Sequence, residues 1–118
     1  ILHMLRVVIH GAYKSPREFT WVSGTFLLFV TITFGFTGYL LPWDQLSYWA
    51  TTVGTEIAGS VPFIGKYMLI ALRGGEDVSG STLTRFYAVH TLILPWISTF
   101  LLMIHFLLIR RLGITEPL

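Results

Sequence analysis

The sequence predicts an all-α fold: a transmembrane helical bundle, with amphipathic surface helices in the 44–85 connection between two of its spans. Three observations carry this. Apolar residues fill 53% of the 118 positions and charged residues only 12%, about half the ~25% usual in soluble domains. Two runs lack any charge, 25 residues from Phe19 to Trp43 and 24 from Phe86 to Ile109. At about 1.5 Å per helical residue, either run exceeds the ~30 Å hydrocarbon core of a bilayer. Basic residues flank these runs rather than forming a patch, and a net charge of +2 is thin, so nucleic acid is not expected as a partner. With no cysteine, a disulfide scaffold, a thiolate metal site and a cysteine nucleophile are all excluded.

The elements follow in order. Ile1 to Ile9 is apolar, begins without Met and has no capping Ser, Asp or Asn. It reads as the last turns of a helix whose beginning is absent, which makes the chain a fragment. Gly11 and the Lys14–Glu18 stretch end it and lead to a full span over Phe19–Leu41. The 42-residue connection Asp44–Arg85 is too long for a featureless loop. Leu46, Trp49, Ala50, Val53 and Ile57 recur at helical spacing, as in a helix lying along the membrane interface. A second apolar cluster from Phe63 to Leu72 predicts another short helix, and Gly74-Gly75 and Ser79-Gly80 read as breakers. A second full span covers Phe86–Ile109, and Pro95 is expected to bend it, since proline removes one backbone bond and clashes with the carbonyl four residues before.

Basic residues set the orientation. Arg6, Lys14, Arg17, Arg110 and Arg111 fall on one side, and Lys66, Arg73 and Arg85 on the other. The first set marks the cytoplasmic, matrix or stromal side, termed negative; the other side is positive.

Histidines carry the functional signal, because ionisable side chains inside a span are costly and face a partner or cofactor. His90 and His105 share the last span, about 60° apart around the helix and about 22 Å along it. His3 lies near the negative end of the first segment and His105 near the negative end of the last. Two imidazoles at equal depth on different helices suit the two axial positions of one haem iron. His90 lies near the positive side without a partner in the chain; one would fall about 14 residues upstream of His3. The plainer reading is an imidazole hydrogen-bonded to a neighbouring Ser or Thr. Zinc fits less well, since it wants three or four ligands at one depth. His10, at the membrane edge, reads as interfacial. Gly24 and Gly38 are 14 residues apart, nearly the histidine spacing. A flat macrocycle against a helix needs such bare positions, although small residues also serve ordinary helix packing.

The stretches TWVSG, GYLLPWDQLSYWA, STLTRFYAVH and HFLLIRRLGITEPL closely resemble the cytochrome b/b6 family, and the resemblance spans Leu2 to Leu118. It implies that residues 1–118 are part of a cytochrome b/b6 N-terminal-type domain, a partial dihaem four-helix bundle. The chain would hold the end of the second transmembrane helix, the third, the surface connection and the fourth. It implies His3 and His105 as axial ligands of the high-potential b-type haem, and His90 as one ligand of the low-potential one. Gly24, Gly38 and Arg6 would serve haem packing or propionates; Arg6 reads equally as a snorkelling cation. Pro42, Trp43, Tyr48 and Trp49 would form part of a quinone pocket wall, as well as an interfacial aromatic belt. A spacing of fifteen positions from His90 to His105, PWDQ and the GITEPL ending look like the b6 or bacterial menaquinol branch, in which Leu118 would be near the natural terminus. Where mitochondrial-type cytochromes b place a quinone-contacting histidine five residues after the ligand, this chain has Arg110.

The function implied is a haem-binding electron-transfer subunit of a quinol–cytochrome c or plastocyanin reductase, carrying electrons from quinol oxidation across the membrane. Its expected partners are a Rieske iron–sulfur protein, a c-type cytochrome, a subunit IV-like C-terminal cytochrome b segment, quinol and lipid, in a dimeric complex. A multi-pass place in a bacterial plasma membrane or a thylakoid follows. Taken by itself the fragment is expected to be inactive. Two other readings are a dihaem anchor of a hydrogenase or formate dehydrogenase, and a non-catalytic membrane scaffold. GYLLPWDQ and TLTRFYAVH argue against the first.

Overall fold

The computed structural model describes residues 1–116; Leu118 lies outside them. All regular structure among the described residues is helical, as expected: α1 (Leu2–Ile9), α2 (Glu18–Leu40), α3 (Gln45–Gly59), α4 (Gly65–Arg73), α5 (Gly80–Ala88) and α6 (Leu94–Leu112), with a π turn over Val89–Ile93. Among the described residues, two helices are long and apolar enough to cross a membrane: α2, with 23 residues, and the continuous run Gly80–Leu112, with 33. Only 6% and 11% of their most apolar stretches are buried. A core helix of a soluble protein hides most of itself, so these faces suit lipid or other subunits. At about 1.5 Å per residue, α3 and α4 reach only ~22 and ~14 Å and do not span.

The chain forms two compact units, one of Ile1–Thr31 with the chain from Trp96 onward, the other of Ile32–Pro95. In the first, α1 ends at Gly11, whose φ of +66° is the left-handed geometry glycine tolerates. The His10 backbone N–H closes the last turn on the Arg6 carbonyl at 3.1 Å, and the Gly11 N–H donates to the Val8 carbonyl at 3.2 Å. Two arginines then tie down the stretch after α6. Arg17 donates to the Gly113 and Ile114 carbonyls at 3.2 and 3.0 Å, and Arg6 to the Thr115 carbonyl at 3.1 Å.

In the second unit, hydroxyls do much of the packing. α3 buries Ser47, Thr51 and Thr55 and leaves Leu46, Trp49, Val53 and Ile57 exposed. The apolar stripe read from the sequence therefore faces outward, as an interfacial helix requires. Asp44 caps α3: its carboxylate accepts the Ser47 backbone N–H at 2.8 Å, and its own N–H reaches the Ser47 hydroxyl. These bonds hold the Asp44 carboxyl below the usual carboxylate range, with the Ser47 backbone N–H the largest cause.

Arg73, counted above as a flanking charge, is instead almost wholly buried. Its guanidinium donates to the Thr55 hydroxyl (2.9 Å), the Glu76 carbonyl (2.7 Å), the Thr52 carbonyl (3.1 Å) and the Glu56 carboxylate (3.0 Å). The Thr82 hydroxyl donates to the Arg73 carbonyl at 2.5 Å, so one residue joins α3, α4 and α5. A planar fork with several donors suits this role where a lysine would not.

The last span differs from its expected limits at both ends. Ser79-Gly80 begins a helix rather than breaking one, because Ser79 and Thr82 form a reciprocal cap. The helix then runs on to Leu112. A π turn over Val89–Ile93 ends two residues before Pro95 and holds the Thr91 carbonyl that the proline ring faces. Widening that turn gives the ring room against the carbonyl behind it.

Candidate functional site

Each compact unit places one intramembrane imidazole against α2 in the same way. In the first, the Ser23 hydroxyl lies 2.7 Å from His105 Nδ1 and donates to the Thr20 carbonyl at 2.9 Å. In the second, the Thr37 hydroxyl lies 3.1 Å from His90 Nδ1 and donates to the Thr33 carbonyl at 2.8 Å. A hydroxyl has one proton, and a carbonyl oxygen can only accept. The assignment that satisfies both contacts sends the hydroxyl proton to the carbonyl and makes Nδ1–H the donor to the hydroxyl oxygen. Each neutral imidazole then keeps the lone pair of Nε2 free, the form in which histidine ligates a metal.

The residue after each hydroxyl is glycine. A methyl group at Gly24 would come within 3.1 Å of His105 Cε1, and one at Gly38 within 2.7 Å of His90 Cε1. The bare positions read from the sequence as room for a macrocycle thus seat the imidazoles themselves, more tightly at Gly38. Phe34 adds an edge-on contact to His90, with ring centres 5.4 Å apart.

Within the first unit, His3, Arg6, Gly24 and His105 line one cavity of about 340 Å³, within the roughly 300–1,000 Å³ typical of cofactor sites. Its walls are mostly apolar, with Val7, Leu27, Leu102 and Phe106 among them, and Arg17 brings a second cation. Two of its lining hydroxyls, Thr20 Oγ1 and Thr115 Oγ1, are buried without a hydrogen-bond partner. A mostly apolar cavity with two imidazoles, two arginines and orphaned hydroxyls fits a large apolar macrocycle that carries acidic groups. Among the described residues no three His, Asp or Glu side chains form a metal-binding group, which zinc would need.

The other predicted residues fall elsewhere. His10 donates from Nδ1 to the Arg6 carbonyl at 3.0 Å, closing its own helix and leaving the cavity to His3. Trp43, Tyr48 and Trp49 form a row of edge-on rings with centres 5.9 and 5.0 Å apart. Trp49 Nε1 donates to Gln45, and Trp43 holds a φ of +55°, unusual for a bulky residue. Pro42 precedes them, exposed. Sequence reasoning missed Ser23, Thr37, Thr20, Arg17 and Thr115. A signal was present for the first two: Ser23-Gly24 and Thr37-Gly38 are the same hydroxyl–glycine pair repeated 14 residues on.

The cytochrome b(N-terminal)/b6/petB family model matches residues 1–118. The chain belongs to that family. It is 49% identical over 118 residues to cytochrome b6 of Prochlorococcus marinus (strain MIT 9303), covering all of this chain and 54% of the relative. Against cytochrome b6 of Synechococcus sp. (strain RCC307) the identity is 50%, with the same coverage. The chain thus spans about half the length of these relatives. Among solved structures it is similar to a chain of a hyperthermophilic respiratory Complex III, with TM-score 0.90 and 40% identity, over 98% of this chain and 32% of that one. Membership in the cytochrome b/b6 family implies haem, in agreement with the free Nε2 atoms and the cavity.

Proposed function

We propose that this chain is the part of a dihaem cytochrome b that supplies three axial ligands: His3 and His105 to one b-type haem and His90 to the other. The observation that carries the proposal is the apolar cavity lined by both His3 and His105, with His105 Nδ1 bound to Ser23. A haem held by His3 and His105 would supply one-electron redox chemistry. The residues do the rest. His105 and His90 present Nε2 in the ligating tautomer. Apolar walls exclude water, and Arg6 and Arg17 place positive charge where acidic side groups would end.

On this reading residues 1–118 form part of an N-terminal cytochrome b domain, and the whole protein carries electrons from quinol oxidation across a membrane as a subunit of a quinol–cytochrome c or plastocyanin reductase. A Rieske iron–sulfur protein, a c-type cytochrome and a C-terminal cytochrome b segment are its proposed partners, in a dimeric complex. The row Trp43–Tyr48–Trp49, with Pro42, is proposed as pocket wall for quinol. Redox titration of membranes holding the full-length protein tests this. Two b-type haems are expected, with His90→Leu removing one and abolishing quinol-driven reduction of the other. Retention of both haems in His90→Leu would overturn the assignment.

A further inference from the structure

We propose that Ser23 and Thr37 are positioning residues that each set the electron-donating strength of one axial histidine, and so the midpoint potential of one haem but not the other. This rests on the haem reading above and goes beyond it, because neither hydroxyl touches iron or macrocycle on that reading. Ser23 and Thr37 are both buried residues, at 6% and 5% exposure, which limits the access of water to their hydroxyls. Both have their single proton committed to a backbone carbonyl, leaving the oxygen as a fixed acceptor. Both precede a glycine that carries the imidazole ring, so neither ring can swing toward another partner without leaving its seat.

An acceptor on Nδ1–H raises the basicity of Nε2, and a more basic ligand favours the oxidised iron. Removing the acceptor therefore raises the midpoint potential of the haem concerned. It also loosens ligation, on the order of 10–100-fold for a lost outer partner of a metal-bound histidine. The effect is confined to one haem because each hydroxyl serves one histidine.

The test is redox titration of the full-length protein in membranes, carrying Ser23→Ala, Ser23→Thr, Thr37→Val or Thr37→Ser. Ser23→Ala is expected to shift upward only the haem that His105→Leu removes, and Thr37→Val only the haem that His90→Leu removes. The hydroxyl-retaining variants, Ser23→Thr and Thr37→Ser, restore the parent potentials. Valine has nearly the shape of threonine, so Thr37→Val separates the lost acceptor from lost packing. Loss of the haem in Ser23→Ala with its retention in Ser23→Thr supports the proposal equally. Unmoved potentials, a downward shift, or equal shifts of both haems would overturn it. The two levels stay distinct. If His105→Leu still loses one haem while Ser23→Ala changes nothing, only the positioning role fails; if His105→Leu keeps both haems, the haem reading itself fails.

Discussion

The two compact units use one device and secure it by different means. In each, a hydroxyl on α2 binds the Nδ1 of a histidine from the last span, and the glycine beside it seats the ring. Around His105, stabilisation comes from residues far apart in sequence, with Arg6 and Arg17 holding carbonyls from Gly113 to Thr115. Around His90 it comes from a local knot, Arg73 joining three short helices, and from a π turn that contains His90 itself. His105 is buried and shares a cavity with a second histidine; His90 is half-buried. The device therefore does not depend on one kind of surrounding. What it needs is a small residue under the ring and an acceptor beside it.

The glycines offer the sharpest way to break that comparison. Gly38→Ala would put its methyl 2.7 Å from His90, closer than real contacts allow, so the ring must leave its place. Loss of the His90 haem is expected, read as the absence of one band in a difference spectrum. Gly24→Ala creates a 3.1 Å contact, which a shift of a few tenths of an ångström relieves. It should keep its haem with an altered potential. The opposite ranking would mean that the two seats do not work alike.

Arg73 tests whether the second unit is independent. Arg73→Met keeps the apolar stem but removes the guanidinium's bonds to the Thr55 hydroxyl, the Thr52 and Glu76 carbonyls and the Glu56 carboxylate, at a cost of roughly 3 kcal/mol from lost charged hydrogen bonds. Thermal release of the His90 haem should come earlier, with the His105 haem released as in the parent. Equal sensitivity of both haems would show that the units do not respond separately.

The smallest effect concerns Asp44. Its folded carboxyl titrates below the ordinary value of 3.8. The cap it gives α3 is thus complete above that value and is lost as pH falls through the depressed one. Protection of the first α3 amides, taken relative to the intrinsic exchange rate at each pH, should be constant near neutrality and fall only in acid, below the ordinary carboxylate range. Asp44→Asn, which can still cap, should remove that acid step.

How far the sequence reaches differs between these features for a physical reason. The spans and the two surface helices were legible, because hydropathy is summed over many residues, and so was the common depth of His3 and His105, which line one cavity. Asp44 was legible only as part of PWDQ, although with Ser47 three residues on it makes a cap. Arg73 was misread as a flanking charge, since nothing local shows that Thr55 and Thr82 will bracket it. Ser23 and Thr37 contact histidines 82 and 53 positions away. Only their repeat beside glycine betrays them, and alone it looks like ordinary small-residue packing in a membrane. The π turn is not legible because the proline clash with the carbonyl four residues before does not by itself say that the preceding turn will widen.

The claim on which the rest depends is that His3 and His105 hold the same haem. The direct measurement is the b-type haem content and potential of the full-length protein carrying His3→Leu, His105→Leu or both. Each single variant should lose the same one haem, and the double variant should lose no more than either single one. A double variant lacking both haems, from singles that lose different ones, would contradict the account.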